Sequence, residues 1–251
     1  MTVGLQVGSR LVTAEDLFPL LIRYQMLPKL IQELVIDEAI ASVEIDAEEA
    51  AKACQAFYEQ NGIVADDARQ GWLKQQGMSE AQLEWIATRN LRVEAFKQMT
   101  WNPKLESYFL KRKGQLDRVI YSLIRTKDAG IARELYFRIL EGEQAFADAA
   151  REYSQGVEAQ TNGLIGPVEL SVPHPALAQI LSTSKPGELA PPTSVGEWIV
   201  LVRLERFMPA QLDDAMRSRL LDECFNLWLK EQVAQVDLTT LMPTAATPVT
   251  P

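Results

Sequence analysis

The chain has 251 residues, 47% of them hydrophobic and 24% charged, a composition ordinary for a soluble globular protein with length for one large or two modest domains. Its formal net charge of −9 argues against non-specific nucleic-acid binding, because neutralising phosphates takes a concentrated basic surface. The apolar run LFPLLIRYQM is too short to span a membrane and is broken by Pro19 and Arg23, so no membrane insertion is expected.

The opening MTVGLQVGSRLVTAED has no basic region leading into an apolar core and a small-residue cleavage site, so the expected location is cytoplasmic. From there the first hundred or so residues read almost continuously as helix. Thr13 to Asp16 has the form of a capping box ahead of LFPLLIRYQML, and Pro28 restarts a second helix carrying Leu30, Ile31, Leu34 and Val35. Asp46 is placed to cap a third, with Ala50, Cys54 and Phe57 on one stripe and Gly62 as its stop. Cys54 therefore reads as core; it lies far from Cys224 without CxxC spacing, so neither a disulfide framework nor a zinc site is expected. A short fourth helix starts at Asp66 and ends at Gly77, and Ser79 to Gln82 caps a fifth containing Leu83, Ile86, Val93 and Phe96. A sixth is expected after Pro103, through Tyr108 and Phe109, and the cluster Lys111-Arg112-Lys113 reads as a solvated helix end.

The pattern changes at Asp117. RVIYSLIR has the β-branched character and length of a strand, and KDAGIARELYFRILEGEQAFADAAREYS reads as two helices separated at Gly142. A loop with Gly156, Gly163, Gly166 and Pro167 follows, then a short helix through ALAQIL and the turn SKPGELAPP. EWIVLVRLERF closes the segment as a strand in which Trp198, Val200, Val202 and Leu204 share one face. After Pro209, Leu212, Met216, Leu220 and Leu227 fall at near-helical spacing with Trp228 beside them, so this helix must bury a face. LTTLMPTAATPVTP lacks periodicity and reads as disordered.

The expected fold class is α+β. A helical module covers residues 1–115, an α+β domain 116–208, a further helix 210–236 and a disordered tail 237–251.

No nucleotide or metal signature is present. Gly-rich phosphate loops need their glycines within one strand-to-helix turn, and here they are spread out. His174 is the only histidine, so neither a metal cluster nor a Ser-His-Asp triad can be assembled, and no cofactor or metal is expected. Set between two prolines, His174 reads first as a surface loop residue.

ELYFRILEGEQAFADAAREYSQGVEAQTNGLIG, followed by HPALAQILSTSKPGEL and VGEWIVLV, resembles a parvulin-type (PpiC) peptidyl-prolyl cis-trans isomerase, or rotamase, domain. The helical segment before it, with LIQELVIDEAI, GWLKQQGMSE and NLRVEAFKQ, is similar to the N-terminal chaperone segments of SurA and trigger-factor-like proteins. In such proteins the C-terminal helix packs back on the N-terminal module, which gives Gln211 to Val233 a place to bury its face. The resemblance thus implies that the helix at 210–236 completes the helical module, and that the domain at 116–208 carries a small antiparallel sheet covered by helices. The combination most resembles a cyanobacterial peptidylprolyl isomerase group. The partners this implies are unfolded or proline-containing polypeptides; oligomeric state stays open.

Parvulins typically place one histidine in the first strand and another in the last, with a cysteine or aspartate between them and a Met/Phe-lined proline pocket. Aligned on the flanking Leu-x-Arg/Lys-Thr and Gly-x-x-Ile-Val patterns, the resemblance puts Tyr121 at the first histidine and Trp198 at the second. The Cys/Asp position falls at or near Gly156, Pro173 and Leu177 fall near the pocket Met and Phe, and Ile165 keeps the aliphatic residue. Tyr121 and Trp198 are thus the catalytic candidates, and Ile165, Pro173, His174 and Leu177 the substrate-binding ones.

Loss of the histidines does not by itself abolish the reaction. Rotating an X-Pro amide crosses a barrier of about 18–20 kcal/mol without making or breaking a covalent bond, so no nucleophile or metal is required. Tyr121 and Trp198, if adjacent on neighbouring strands, offer an O–H, an N–H and flat apolar surfaces to grip proline. Two readings follow: an isomerase and folding factor with a degenerate site, or a non-catalytic parvulin-fold chaperone or peptide-targeting module in which the pocket is merely filled.

Overall fold

The computed structural model describes residues 4–236, so the tail read at 237–251 lies outside the described residues. The chain divides into two units, residues 1–105 with 217–251, and residues 106–216.

The first unit opens with an antiparallel hairpin, β1 (Gly4–Val7) and β2 (Arg10–Thr13), ahead of the first expected helix, a pair of strands that the sequence reading did not assign. The turn at Gly8 takes a φ of 59°, a conformation glycine adopts without steric cost, and this VGSR turn was the overlooked signal. Helix α1 (Ala14–Arg23) begins at the expected box: the Thr13 amide and hydroxyl donate to Asp16 Oδ2 at 2.9 and 2.8 Å. Helix α2 (Leu27–Ile40) has Pro28 in its first turn, where the missing N–H costs nothing. Helix α3 (Ala47–Asn61) is capped by Asp46, whose Oδ1 accepts from the Glu48 amide at 2.9 Å, and α4 (Asp66–Gln76) follows. No residue of α3 is fully buried. Cys54 is accordingly half-buried beside an open groove rather than in a core.

Helix α5 (Glu80–Leu116) corrects a further expectation, because it passes through Pro103 without a break. An interior proline forfeits one backbone hydrogen bond and costs roughly 3 kcal/mol. Packing on either side offsets this: Leu105 is buried, and the Trp101 ring sits edge-on to Phe96 at 5.5 Å and to Phe225 at 6.2 Å. Phe225 and Trp228 belong to α9 (Asp214–Ala234), which buries Leu220, Leu221 and Phe225. Leu227 of the expected stripe is 51% exposed, since the ring cluster, not the spacing of leucines, decides which face turns inward.

In the second unit β3 (Arg118–Thr126), β4 (Leu164–Glu169), β5 (Thr193–Val195) and β6 (Trp198–Met208) form one antiparallel sheet in the order β4-β3-β6-β5. The strands flanking this unit in sequence, β3 and β6, are its central pair. Helices α6 (Ala129–Leu140) and α7 (Phe146–Tyr153) cover one face, packing Ala132, Leu135, Phe146 and Ala149 on Ile124 and Leu201. Helix α8 (Pro175–Thr183) covers the other, where Leu177 and Leu181 meet Val119, Tyr121, Leu123, Val200 and Val202. Each fully buried leucine here contributes roughly 1.5–3 kcal/mol.

The segment read as loop at 164–169 is the edge strand β4. An edge tolerates Pro167, which has no N–H to give, and Gly166 is demanded by space. Its φ is 117°, and a Cβ there would stand 2.6 Å from the Val119 carbonyl oxygen. Gly166→Ala is expected to destabilise this unit by about 2 kcal/mol or more. Hydrogen exchange at the β3 and β4 amides checks this, and unchanged protection would contradict it.

Candidate functional site

Strand alternation turns Tyr121, Leu123 and Arg125 of β3, and Trp198 and Val200 of β6, toward the α8 side of the sheet. Ile165 reaches the same place from β4, where it pairs with Tyr121, and Pro173, His174 and Leu177 reach it from the start of α8. Together they line one cleft of about 240 Å³. Every candidate from the sequence, Tyr121, Trp198, Ile165, Pro173, His174 and Leu177, is among its walls.

Tyr121 and Trp198 are not adjacent. The register sets Leu204 opposite Tyr121 and Val200 opposite Arg125, while Trp198 pairs with Val195 of β5. The two aromatics therefore mark opposite ends of the cleft with Arg125 between them. Tyr121 is 5% exposed and lines the cleft. Burial pushes its pKa up, opposed by the Arg125 charge and assisted by Glu158, so the hydroxyl remains a donor through the ordinary pH range. Trp198 is half-buried rather than enclosed. Its ring is flanked by the Lys127 Nζ at 4.8 Å and the Arg125 guanidinium at 6.0 Å, both within cation–π range.

His174 is exposed and its Nδ1 accepts from the Ala176 amide at 3.3 Å, which makes it the N-cap of α8 at the rim of the cleft. The apolar wall is Leu123, Ile165, Leu177 and Val200. Among the described residues no group of three or more His, Cys, Asp and Glu side chains is placed to hold a metal ion.

Sequence reasoning missed Arg125 and Glu158. Arg125 Nε donates to Glu158 Oε1 at 2.7 Å, and a terminal guanidinium nitrogen donates to Oε2, so the pair is bidentate. Glu158 is 2% exposed; Ser154 donates to its Oε1 at 2.6 Å, and the same Ser154 oxygen accepts from the Arg125 amide at 3.0 Å. Burial alone would raise the Glu158 carboxyl, but hydrogen bonds from Arg125 and Ser154 prevail and hold it below its usual range. The pair occupies the space beside Gly156: a Cβ there would lie 2.2 Å from Arg125 Nε and 2.3 Å from Glu158 Oε2. The one hint in the sequence was that glycine, standing where the resemblance expects Cys or Asp.

The architecture that carries this cleft, an antiparallel sheet covered on both faces with the site at the α8 side, defines a class. Residues 125–206 match the model of the Rotamase family, the PPIC-type PPIASE domain, a segment that includes every wall residue named above except Tyr121 and Leu123. Residues 125–206 thus carry a domain similar to the parvulin-type (PPIC) rotamase domains, preceded in this chain by a helical unit. The chain is 26% identical over 256 residues to the foldase protein PrsA of Halalkalibacterium halodurans, covering 93% of this chain and 75% of that one. Among solved structures, the peptidylprolyl isomerase PrsA of Bacillus cereus has 15% identity and a TM-score of 0.49, covering 95% of this chain and 94% of its own. The parvulin domain of PpiD from E. coli has 25% identity and a TM-score of 0.34, covering 40% and 97% respectively.

Proposed function

We propose that the cleft is a working prolyl-peptide site and that the chain accelerates cis-trans isomerisation of X-Pro bonds with its own residues in place of the histidines. The observation that carries this is an open cleft that Tyr121 lines together with an apolar wall. Leu123, Ile165, Leu177 and Val200 take the pyrrolidine ring out of water. As the C–N bond twists, the amide nitrogen regains its lone pair, and a donor at that position favours the twisted amide over both planar isomers. Tyr121 is that donor, and Trp198 holds the chain beside the proline.

The test is cis-to-trans relaxation of proline tetrapeptides followed by NMR, with the intact chain and with Tyr121→Phe. Acceleration that Tyr121→Phe reduces is expected; no acceleration with any residue before proline would overturn the reading. Cytoplasmic residence belongs to the same proposal, and recovery of the protein outside the cytoplasmic fraction would overturn it.

A second reading, a non-catalytic chaperone, draws on a separate observation in the first unit. Leu17, Ile22, Tyr24, Met26 and Leu34, on α1, α2 and the turn between them, are each more than 40% exposed, a surface suited to apolar segments of clients.

A further inference from the structure

We propose that Arg125 reads the residue preceding proline and selects an acidic one, with Glu158 as the positioning residue that holds it. The inference rests on the cleft's being a prolyl-peptide site.

Arg125 is the one charged side chain among the residues lining the cleft. One edge of its guanidinium is committed to Glu158, while the remaining terminal nitrogen has no protein partner among the described residues. Its side chain keeps 31% exposure, whereas that of Glu158 keeps 1%. The carboxylate thus stands behind the guanidinium, and the face presented to a ligand is the cation's.

Position follows from the shape of the walls. The apolar residues Ile165 and Leu177 lie at the Tyr121 end, so the proline ring goes there, and the residue before it falls beside Arg125 and Trp198. Lys127 stands over the same indole, and its partner Glu197, 2.7 Å away, is itself exposed, so that pair is weak and the ammonium stays available at this edge of the cleft. Gly156 makes the arrangement possible. A residue with a Cβ there, including the Cys or Asp expected by resemblance, would collide with the Arg125–Glu158 pair.

The experiment uses the intact chain and tetrapeptides that differ only in the residue before proline, Glu, Ala or Lys. Isomerisation is read by NMR and affinity by calorimetry, at low and high salt. The Glu peptide is expected to be favoured over Ala by about tenfold, as one charge-assisted hydrogen bond allows, with Lys poorest and the ratio shrinking in salt. Replacing the pair together, Arg125→Met with Glu158→Met, is expected to bring the Glu/Ala ratio to about one. If that variant does not fold, the exposed Lys127→Gln is expected to lower the ratio about twofold. Equal affinity for the three peptides overturns the selectivity while leaving the isomerase reading intact. Selective binding without acceleration supports the role of Arg125 and overturns the isomerase reading; no binding at all overturns both.

Discussion

Arg125→Met is expected to destabilise the second unit by about 3–5 kcal/mol, the cost of leaving a buried charge without its partner. Glu158 has 1% of its side chain exposed and two of its hydrogen bonds come from Arg125, so the substitution leaves the carboxylate without its cationic partner. Removing both members with Arg125→Met and Glu158→Met should recover most of the loss, because a well-packed apolar pair carries no desolvation penalty. Hydrogen exchange at β3 and β6 amides reports this unit separately from the first. Equal loss in the single and double variants would show that the ion pair is not the cause.

The same pair gives the acid limb of stability a definite sign. Glu158 has a folded-state pKa held below its unfolded value, so the stability it contributes is fully present above the ordinary carboxylate range. That contribution is lost as pH falls through the depressed folded value. Glu158→Gln should flatten this limb while lowering stability at neutral pH.

Tyr121→Phe is expected to lower kcat by roughly tenfold to a hundredfold with little change in KM, the signature of a donor used only as the amide twists. The substitution removes a single hydroxyl from a residue that lines the cleft, so folding should be preserved. Because burial raises the Tyr121 pKa, wild-type activity should persist through neutral pH and fall only above the ordinary tyrosine range, where the donor proton is lost. A KM effect with kcat unchanged would reassign Tyr121 from donor to wall.

Much of the second unit was legible because its elements announce themselves locally. RVIYSLIR and EWIVLVRLERF have strand character, Gly142 separates two helices, and the apolar alternation from Trp198 to Leu204 is the face that meets α8. Residues 164–169 were harder, since glycine and proline mark both loops and sheet edges, and only pairing with β3 distinguishes them. Pro103 misled for a related reason: its local penalty is real, and tertiary packing outweighs it.

At the site, the resemblance led to the residues that now line one cleft, but not to their spacing. Strand register, which places Leu204 rather than Trp198 opposite Tyr121, is set by pairing over the whole strand and by a bulge after Ile120. Arg125 and Glu158 stayed hidden because they are 33 residues apart and of a kind usually solvated. Only the three-dimensional fact that Gly156 leaves room for them reveals the pair.

The central claim, that a prolyl peptide is held in the cleft of the second unit, is tested most directly by adding such a peptide to the labelled intact chain and mapping NMR shifts. Shifts should concentrate at Tyr121, Ile165, Leu177 and the Trp198 indole, and should be lost for a peptide with alanine in place of proline. Shifts confined to α1 and α2, and indifferent to the proline, would contradict it and leave the helical module as the site of client binding.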